Sequence, residues 1–114
     1  MKILILNGPN MNLLGLREPA LYGRDTYEDL VALAEKTCRE EGLGCVCVQS
    51  NHEGVLIDEI QKAREDCGGI VINPAGYSHT SIAMADALRA VALPAVEVHI
   101  TDPEQREPFR RVSY

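Results

Sequence analysis

Short, continuously apolar runs alternate along this chain with longer segments of helical periodicity, and that alternation restricts the possible fold more than any other feature. Lys2–Leu6 (KILIL) has apolar side chains at successive positions, the pattern of a strand buried on both faces of a parallel sheet. Thr26-Tyr-Glu-Asp has the form of a capping box, with Thr26 as N-cap and Asp29 three residues on to return the bond. The helix it opens should reach Glu41 and stop at Gly42. Cys45–Gln49 is a second short strand. A second helix, from about Glu53 to Glu65, carries Leu56, Ile57 and Ile60 on one face and Asp58, Glu59 and Lys62 outside. Gly68-Gly69 leads into a third buried strand, Ile70–Ile72. An alanine-rich helix, Ser81–Val91, follows. Pro94 then introduces a fourth strand, Ala95–Ile100, and Thr101-Asp-Pro-Glu has the form of a further helix start with Pro103 in its first turn.

Strand–helix alternation implies a parallel sheet with helices on both faces and right-handed crossovers. At 114 residues the chain suits one domain, 1–114. Ligands of such sheets bind beyond the carboxyl ends of the strands. Three segments are thereby selected before any motif is considered: Asn7–Gly23, Asn73–Ser81 and His99–Arg111. Ser50-Asn-His52-Glu53, after the second strand, is a fourth.

Composition narrows the partners. Charged residues make up 25% and the net charge is −6, which argues against a nucleic-acid backbone, whose sites need clustered Lys and Arg. An anionic small molecule is compatible with that charge, because its site needs only a few local cations. No apolar stretch approaches the roughly 18–20 residues that cross a bilayer, and the N-terminal run lacks secretory character. Cys38, Cys45, Cys47 and Cys67 have no C-x-x-C spacing. They are expected to be reduced thiols of a cytosolic protein, packed as small hydrophobes and not as metal ligands.

The connection after the first strand is long for its type, since such loops usually take about 2–6 residues. It holds Asn7, Asn10, Asn12, Arg17, Glu18 and Tyr22 among glycines and prolines, and no Gly-Lys-Ser/Thr that would make it a phosphate loop. Asn73-Pro-Ala-Gly-Tyr-Ser-His79-Thr-Ser81 sets hydroxyls and backbone N–H groups at a helix start, a natural cradle for an anion or hydroxyl. His79 fits a ligand-facing group and a capped structural histidine equally well. Glu97-Val-His99 puts a carboxylate and an imidazole on one face of a strand; the carboxylate is expected to fix the histidine tautomer and raise its pKa. Arg106 and Arg110 follow closely. Such an inventory suits proton abstraction beside a carbonyl together with recognition of a carboxylate and several hydroxyls.

Five ordered segments then carry a family resemblance. Asn7-Gly-Pro-Asn-Met-Asn-Leu-Leu-Gly-Leu-Arg17-Glu-Pro-Ala-Leu-Tyr22-Gly resembles the N-terminal signature of type II 3-dehydroquinate dehydratases. Gln49-Ser-Asn-His-Glu-Gly, Asn73-Pro-Ala-Gly-Tyr-Ser-His-Thr-Ser, Glu97-Val-His-Ile and Phe109-Arg-Arg-Val-Ser-Tyr are similar to later motifs of that family, in the same order. The resemblance implies a three-layer α/β/α, flavodoxin-like, doubly wound parallel sheet. It implies a hydro-lyase of the shikimate route that eliminates water in the anti sense from 3-dehydroquinate, through an enolate, without metal or organic cofactor. It also implies a homo-oligomer, a trimer-based dodecamer.

By the same resemblance Tyr22 is the base at carbon 2, Arg17 the lid arginine beside it, and Asn10 the holder of a water against the enolate oxygen. His99, held by Glu97, is the acid for the departing C1 hydroxyl. Asn73, His79, Ile100, Thr101, Arg106 and Arg110 bind substrate, and Asp86 reaches the neighbouring subunit's site. Thr101-Asp102 replaces a usual Ser-Asn, and Ala85 stands where an Arg commonly precedes Asp86. The family pattern continues past Tyr114 with a fifth strand and a closing helix, so the chain is expected to be a C-terminally incomplete form carrying every catalytic position. Two other readings compete: an inactive fragment or pseudoenzyme of the family, and a flavodoxin-like binding module.

Overall fold

Strands β1 (Lys2–Asn7), β2 (Gly44–Gln49), β3 (Gly69–Asn73) and β4 (Ala95–Glu97) form one sheet in the order β2-β1-β3-β4. Every adjacent pair is parallel. The computed structural model describes residues 1–13, 26–75, 77 and 81–99. Its helices are α1 (Tyr27–Glu40), α2 (Glu53–Asp66) and α3 (Ile82–Val91), and Met11–Leu13 forms a single 3-10 turn.

The strand order explains the layering. The chain passes from β1 to β2 on one side, returns across β1 to reach β3, and then moves on to β4. Right-handed crossovers that change direction in this way put helices on opposite faces. One face is filled by α2 and α3: Leu56, Ile60 and Ala63 with Met84 and Ala87 pack on Leu4, Leu6, Ile70 and Ile72. Register puts Val46 and Val48 of β2 opposite Leu4 and Leu6, on the same face. Cys45, Cys47, Ile5 and Val71 alternate to the opposite face, the side of α1. This is the doubly wound order of flavodoxin-like sheets, whose ligand crevice opens where the winding reverses, between β1 and β3.

Local chemistry sets the ends of the elements. The Thr26 hydroxyl accepts from the Asp29 N–H at 3.3 Å, and an Asp29 carboxylate oxygen accepts from the Thr26 N–H at 2.9 Å, which closes the capping box. Gly42, at φ 73, supplies the left-handed residue after α1. The Ser81 hydroxyl caps α3 by accepting from the Met84 N–H at 3.0 Å. The fourth strand is shorter than the sequence suggested: it ends at Glu97, although the Val98 N–H still donates to the Ile72 carbonyl at 2.9 Å. Ile100 and the helix start at Thr101 lie outside the described residues. Among the described residues no helix is long and apolar enough to cross a membrane.

Ile60 is wholly buried at the centre of the α2 contact. Truncation there removes packing and leaves a cavity, so Ile60→Ala should destabilise the fold by about 2–5 kcal/mol in denaturant titration. The matching change at exposed Leu33 should cost no more than about 0.5 kcal/mol.

Candidate active site

Each strand ends on a polar side chain: Asn7, Gln49, Asn73 and Glu97. Asn7 is in direct register with Gln49 on one side and Asn73 on the other, so three carboxamides line the carboxyl edge of β2, β1 and β3. Glu97 extends the row on β4, one step behind, opposite Ile72. From β1 to β4 is two strand spacings, about 10 Å, the width of a small metabolite.

The two loops above β1 and β3 are locked together. The Gly8 N–H donates to the Asn73 carbonyl at 2.8 Å. A Cβ at position 8 would sit 2.6 Å from the Pro74 carbonyl oxygen, so only glycine lets the two backbones approach this closely. Beyond it the Met11–Leu13 turn folds back over β3, and the Asn73 Nδ2 donates weakly to the buried Met11 Sδ at 3.5 Å. The Asn73 Oδ1 accepts from the Ala75 N–H at 3.1 Å, an Asx turn that holds Ala75 at φ 52. Asn73 therefore shapes its own loop and keeps amide hydrogens whose acceptor among the described residues is a thioether.

At the end of β4 the two-residue spacing brings the expected pair together. The His99 Nε2 lies 3.3 Å from the Glu97 Oε1, and the imidazole keeps 14% of its side-chain surface in solvent against 37% for the carboxylate. The pair is thus shielded on the histidine side and open at the acid. Beside it, Ile72, Pro74, Met84, Leu88 and Ala95 line an apolar cleft between α3 and β4, with Ser81, Tyr77 and Glu97 as its polar members.

Asn10 takes a left-handed conformation, φ 68, which asparagine tolerates better than most residues. Its N–H donates to the Asn51 Oδ1 at 2.9 Å. Asp86 lies apart from the edge, on the exposed face of α3, where its carboxylate accepts from Arg89 Nη1 at 3.1 Å. Arg17, Tyr22, His79, Ile100, Thr101, Arg106 and Arg110 lie outside the described residues. Of the expected set, then, Asn10, Asn73, Glu97 and His99 share the carboxyl edge, while Asp86 faces away from it.

Two further residues at the edge were not among the expected site residues. Tyr27, the first residue of α1, has its phenol pushed up from its ordinary value, first by burial; the adjacent Asn7 side chain works against the rise. That contact falls short of a hydrogen bond, and the Asn7 Nδ2 is buried without a partner. Asn51 is the second; only its place in the segment after β2 pointed to it.

The cysteines behave as expected of packed thiols. Cys38 is buried, the other three are half-buried, and all four are free. Cys45 and Cys47, on one face of β2, bring their sulfurs to 3.5 Å. Burial is the first cause that pushes each thiol up, which disfavours the reactive thiolate. Among the described residues no group of three or more His, Cys, Asp or Glu side chains is disposed to hold a metal ion.

Fold and edge together define a doubly wound α/β protein that gathers amides and a carboxylate–imidazole pair at the sheet's carboxyl end. The Dehydroquinase class II family model matches residues 1–114, and the chain belongs to that family. It is 57% identical over 113 residues to a 3-dehydroquinate dehydratase of Corynebacterium glutamicum, a match covering 99% of this chain and 78% of the relative. It is 54% identical over 112 residues to a catabolic 3-dehydroquinase of Aspergillus flavus, covering 98% and 75% of the two chains. The crystal structure of a type II dehydroquinase from Butyrivibrio crossotus superposes with a TM-score of 0.96 at 48% identity, covering 99% of this chain and 79% of that one.

Proposed function

We infer that this chain is a hydro-lyase that converts 3-dehydroquinate to 3-dehydroshikimate and water, the dehydration step of the shikimate route to aromatic amino acids. The observation that carries this reading is the family match along the whole chain, joined to a Glu97–His99 pair at the sheet edge where that family's motif falls.

The chemistry follows from the substrate. Protons on the carbon next to a ketone are weakly acidic, and loss of one gives an enolate. In this reading Tyr22 takes a proton from carbon 2. Free tyrosine has a pKa near 10, so a phenolate base at neutral pH needs a shift of about 3 units, or about 4 kcal/mol. The guanidinium of Arg17 is the group assigned to supply it. Negative charge moves to the ketone oxygen, where Asn10 and a water it holds offer preorganised donors. The enolate then collapses and the C1–O bond breaks. His99 gives its proton to the departing hydroxyl, which leaves as water, and Glu97 steadies the imidazole. Asn73, His79, Ile100, Thr101, Arg106 and Arg110 are assigned to the substrate carboxylate and hydroxyls; the thioether-paired amide of Asn73 supports this for that residue.

The same reading makes the working form a homo-oligomer, a trimer-based dodecamer in which Asp86 reaches a neighbouring site. The exposed position of Asp86 on α3 supports this. It also assigns the enzyme to the cytosol, in keeping with four free thiols.

The product contains a carbon–carbon double bond conjugated to the ketone. Adding the chain to 3-dehydroquinate should therefore produce steadily rising ultraviolet absorbance and one equivalent of enone per substrate consumed. Unchanged absorbance from a folded, oligomeric preparation would favour a pseudoenzyme.

A further inference from the structure

Asn51 is exposed, follows the end of β2, and contributes nothing to the core. Yet three loops meet on it. Its Oδ1 accepts the Asn10 N–H at 2.9 Å and the Gln49 Nε2 at 3.2 Å. Its backbone carbonyl accepts the Tyr77 hydroxyl at 3.1 Å. Gln49 Nε2 also donates to the Gly8 carbonyl at 3.2 Å, so the same small network holds the Gly8–Asn10 segment from both ends. The loop after β1 and the end of β2 are joined through the Asn51 carboxamide, and the turn after β3 through its backbone carbonyl.

The contact with Asn10 matters most. Asn10 sits at φ 68, where an asparagine is tolerated but not compelled to stay. A hydrogen bond at its own N–H fixes the orientation of the peptide plane that precedes its Cα. Rotation of that plane would swing the Asn10 carboxamide away from whatever it serves. The contact spans 41 residues of sequence, so nothing local to the loop can replace it.

We propose that Asn51 is a positioning residue for the elimination, acting through Asn10 to fix where the Asn10 carboxamide meets the oxygen of the developing enolate. This rests on the reading of Asn10 given above. In both of its side-chain contacts the Asn51 Oδ1 is an acceptor. A carboxylate can fill that part and a methyl group cannot, so aspartate should substitute for Asn51 and alanine should not. The added charge lies near the site of an anionic substrate, and its cost should fall on KM.

The test is steady-state kinetics of 3-dehydroquinate dehydration by the full chain and its N51A, N51D, N10A and N10A/N51A variants, with thermal melts of each. A small displacement of a catalytic group can cost up to about a hundredfold. N51A should accordingly lower kcat by about 10- to 100-fold with KM changed by less than about threefold, and its melting temperature should stay within a few degrees of wild type. N51D should keep kcat within about threefold of wild type while KM rises. In the N10A background, N51A should lower kcat by less than about twofold, because residues acting through one another are not additive. Three results would overturn the proposal while leaving the role of Asn10 intact: wild-type kcat in N51A, a folded N51D as slow as N51A, or the full N51A loss repeated in the N10A background. Wild-type kcat in N10A would remove the role of Asn10 itself, and the proposal with it.

Discussion

Phenylalanine at position 22 should lower kcat for 3-dehydroquinate dehydration by at least about a thousandfold, with KM altered far less. General base catalysis contributes about 10²–10⁴ in rate, and here the base also begins the reaction. Phenylalanine removes the phenolic oxygen to which the carbon 2 proton is assigned. Asn10 and Asn73 offer neutral amides, and Glu97 is engaged with His99. Phenylalanine keeps the ring and removes one oxygen, so substrate should still bind through the carboxylate and hydroxyl contacts. Isothermal titration of Y22F should give a dissociation constant within about tenfold of the wild-type value, because the change removes a contact used mainly in the transition state. Activity surviving in Y22F would mean that another group is the base.

Glutamine at position 99 should lower kcat by about 10²–10⁴ through the opposite half of the reaction. The imidazole is held at the end of β4 with its Nε2 3.3 Å from the Glu97 carboxylate. Hydroxide is a poor leaving group, and the enolate cannot collapse until the C1 oxygen is protonated. Glutamine can still form a hydrogen bond with Glu97 and fills a similar volume, but it has no proton to transfer. Glu97→Gln should do less harm, about 10- to 100-fold, since it removes the partner and leaves the acid. Comparing kcat of H99Q and E97Q by the enone assay tests this order. A larger loss in E97Q than in H99Q would show that the carboxylate and not the imidazole is the proton donor.

How much of this was legible in the sequence depends on how far apart the interacting residues lie. The capping box of Thr26 and Asp29 involves residues three apart, and it formed as written. The continuous apolar runs Lys2–Leu6 and Ile70–Ile72 became the central, most buried parallel strands of the sheet. The Glu97–His99 pair was legible because strand geometry puts i and i+2 on one face. The length of β4 was less so: Val96 and Val98 are exposed, and the strand ends at Glu97 with one further sheet bond from the Val98 N–H. The Met11–Leu13 turn was absent from the sequence reading because it depends on contacts with β3 and not on local periodicity.

The site divides in the same way. Asn10, Asn73 and His99 fall in segments that the parallel sheet selects and Glu97 follows from strand spacing, while the role expected of each came from the family resemblance. The double use of Asn73, as an Asx-turn acceptor and a thioether-bound donor, needed the fold. So did the three-loop junction at Asn51, whose partners lie 2, 26 and 41 residues away. Tyr27 and Asn7 meet only because α1 packs beside β1, and no motif announces a buried amide without a hydrogen-bond partner.

In the proposed mechanism the work is divided: Tyr22 removes the carbon 2 proton and His99 releases the C1 hydroxyl. Proton NMR of 3-dehydroquinate recovered after incubation in D2O with each variant separates the two steps. With H99Q the enolate should form and return, so deuterium should enter carbon 2 faster than in a sample without enzyme while little enone appears. With Y22F the carbon 2 signal should decay no faster than in that control. Deuterium entering with Y22F, or failing to enter with a folded, substrate-binding H99Q, would contradict the assignment.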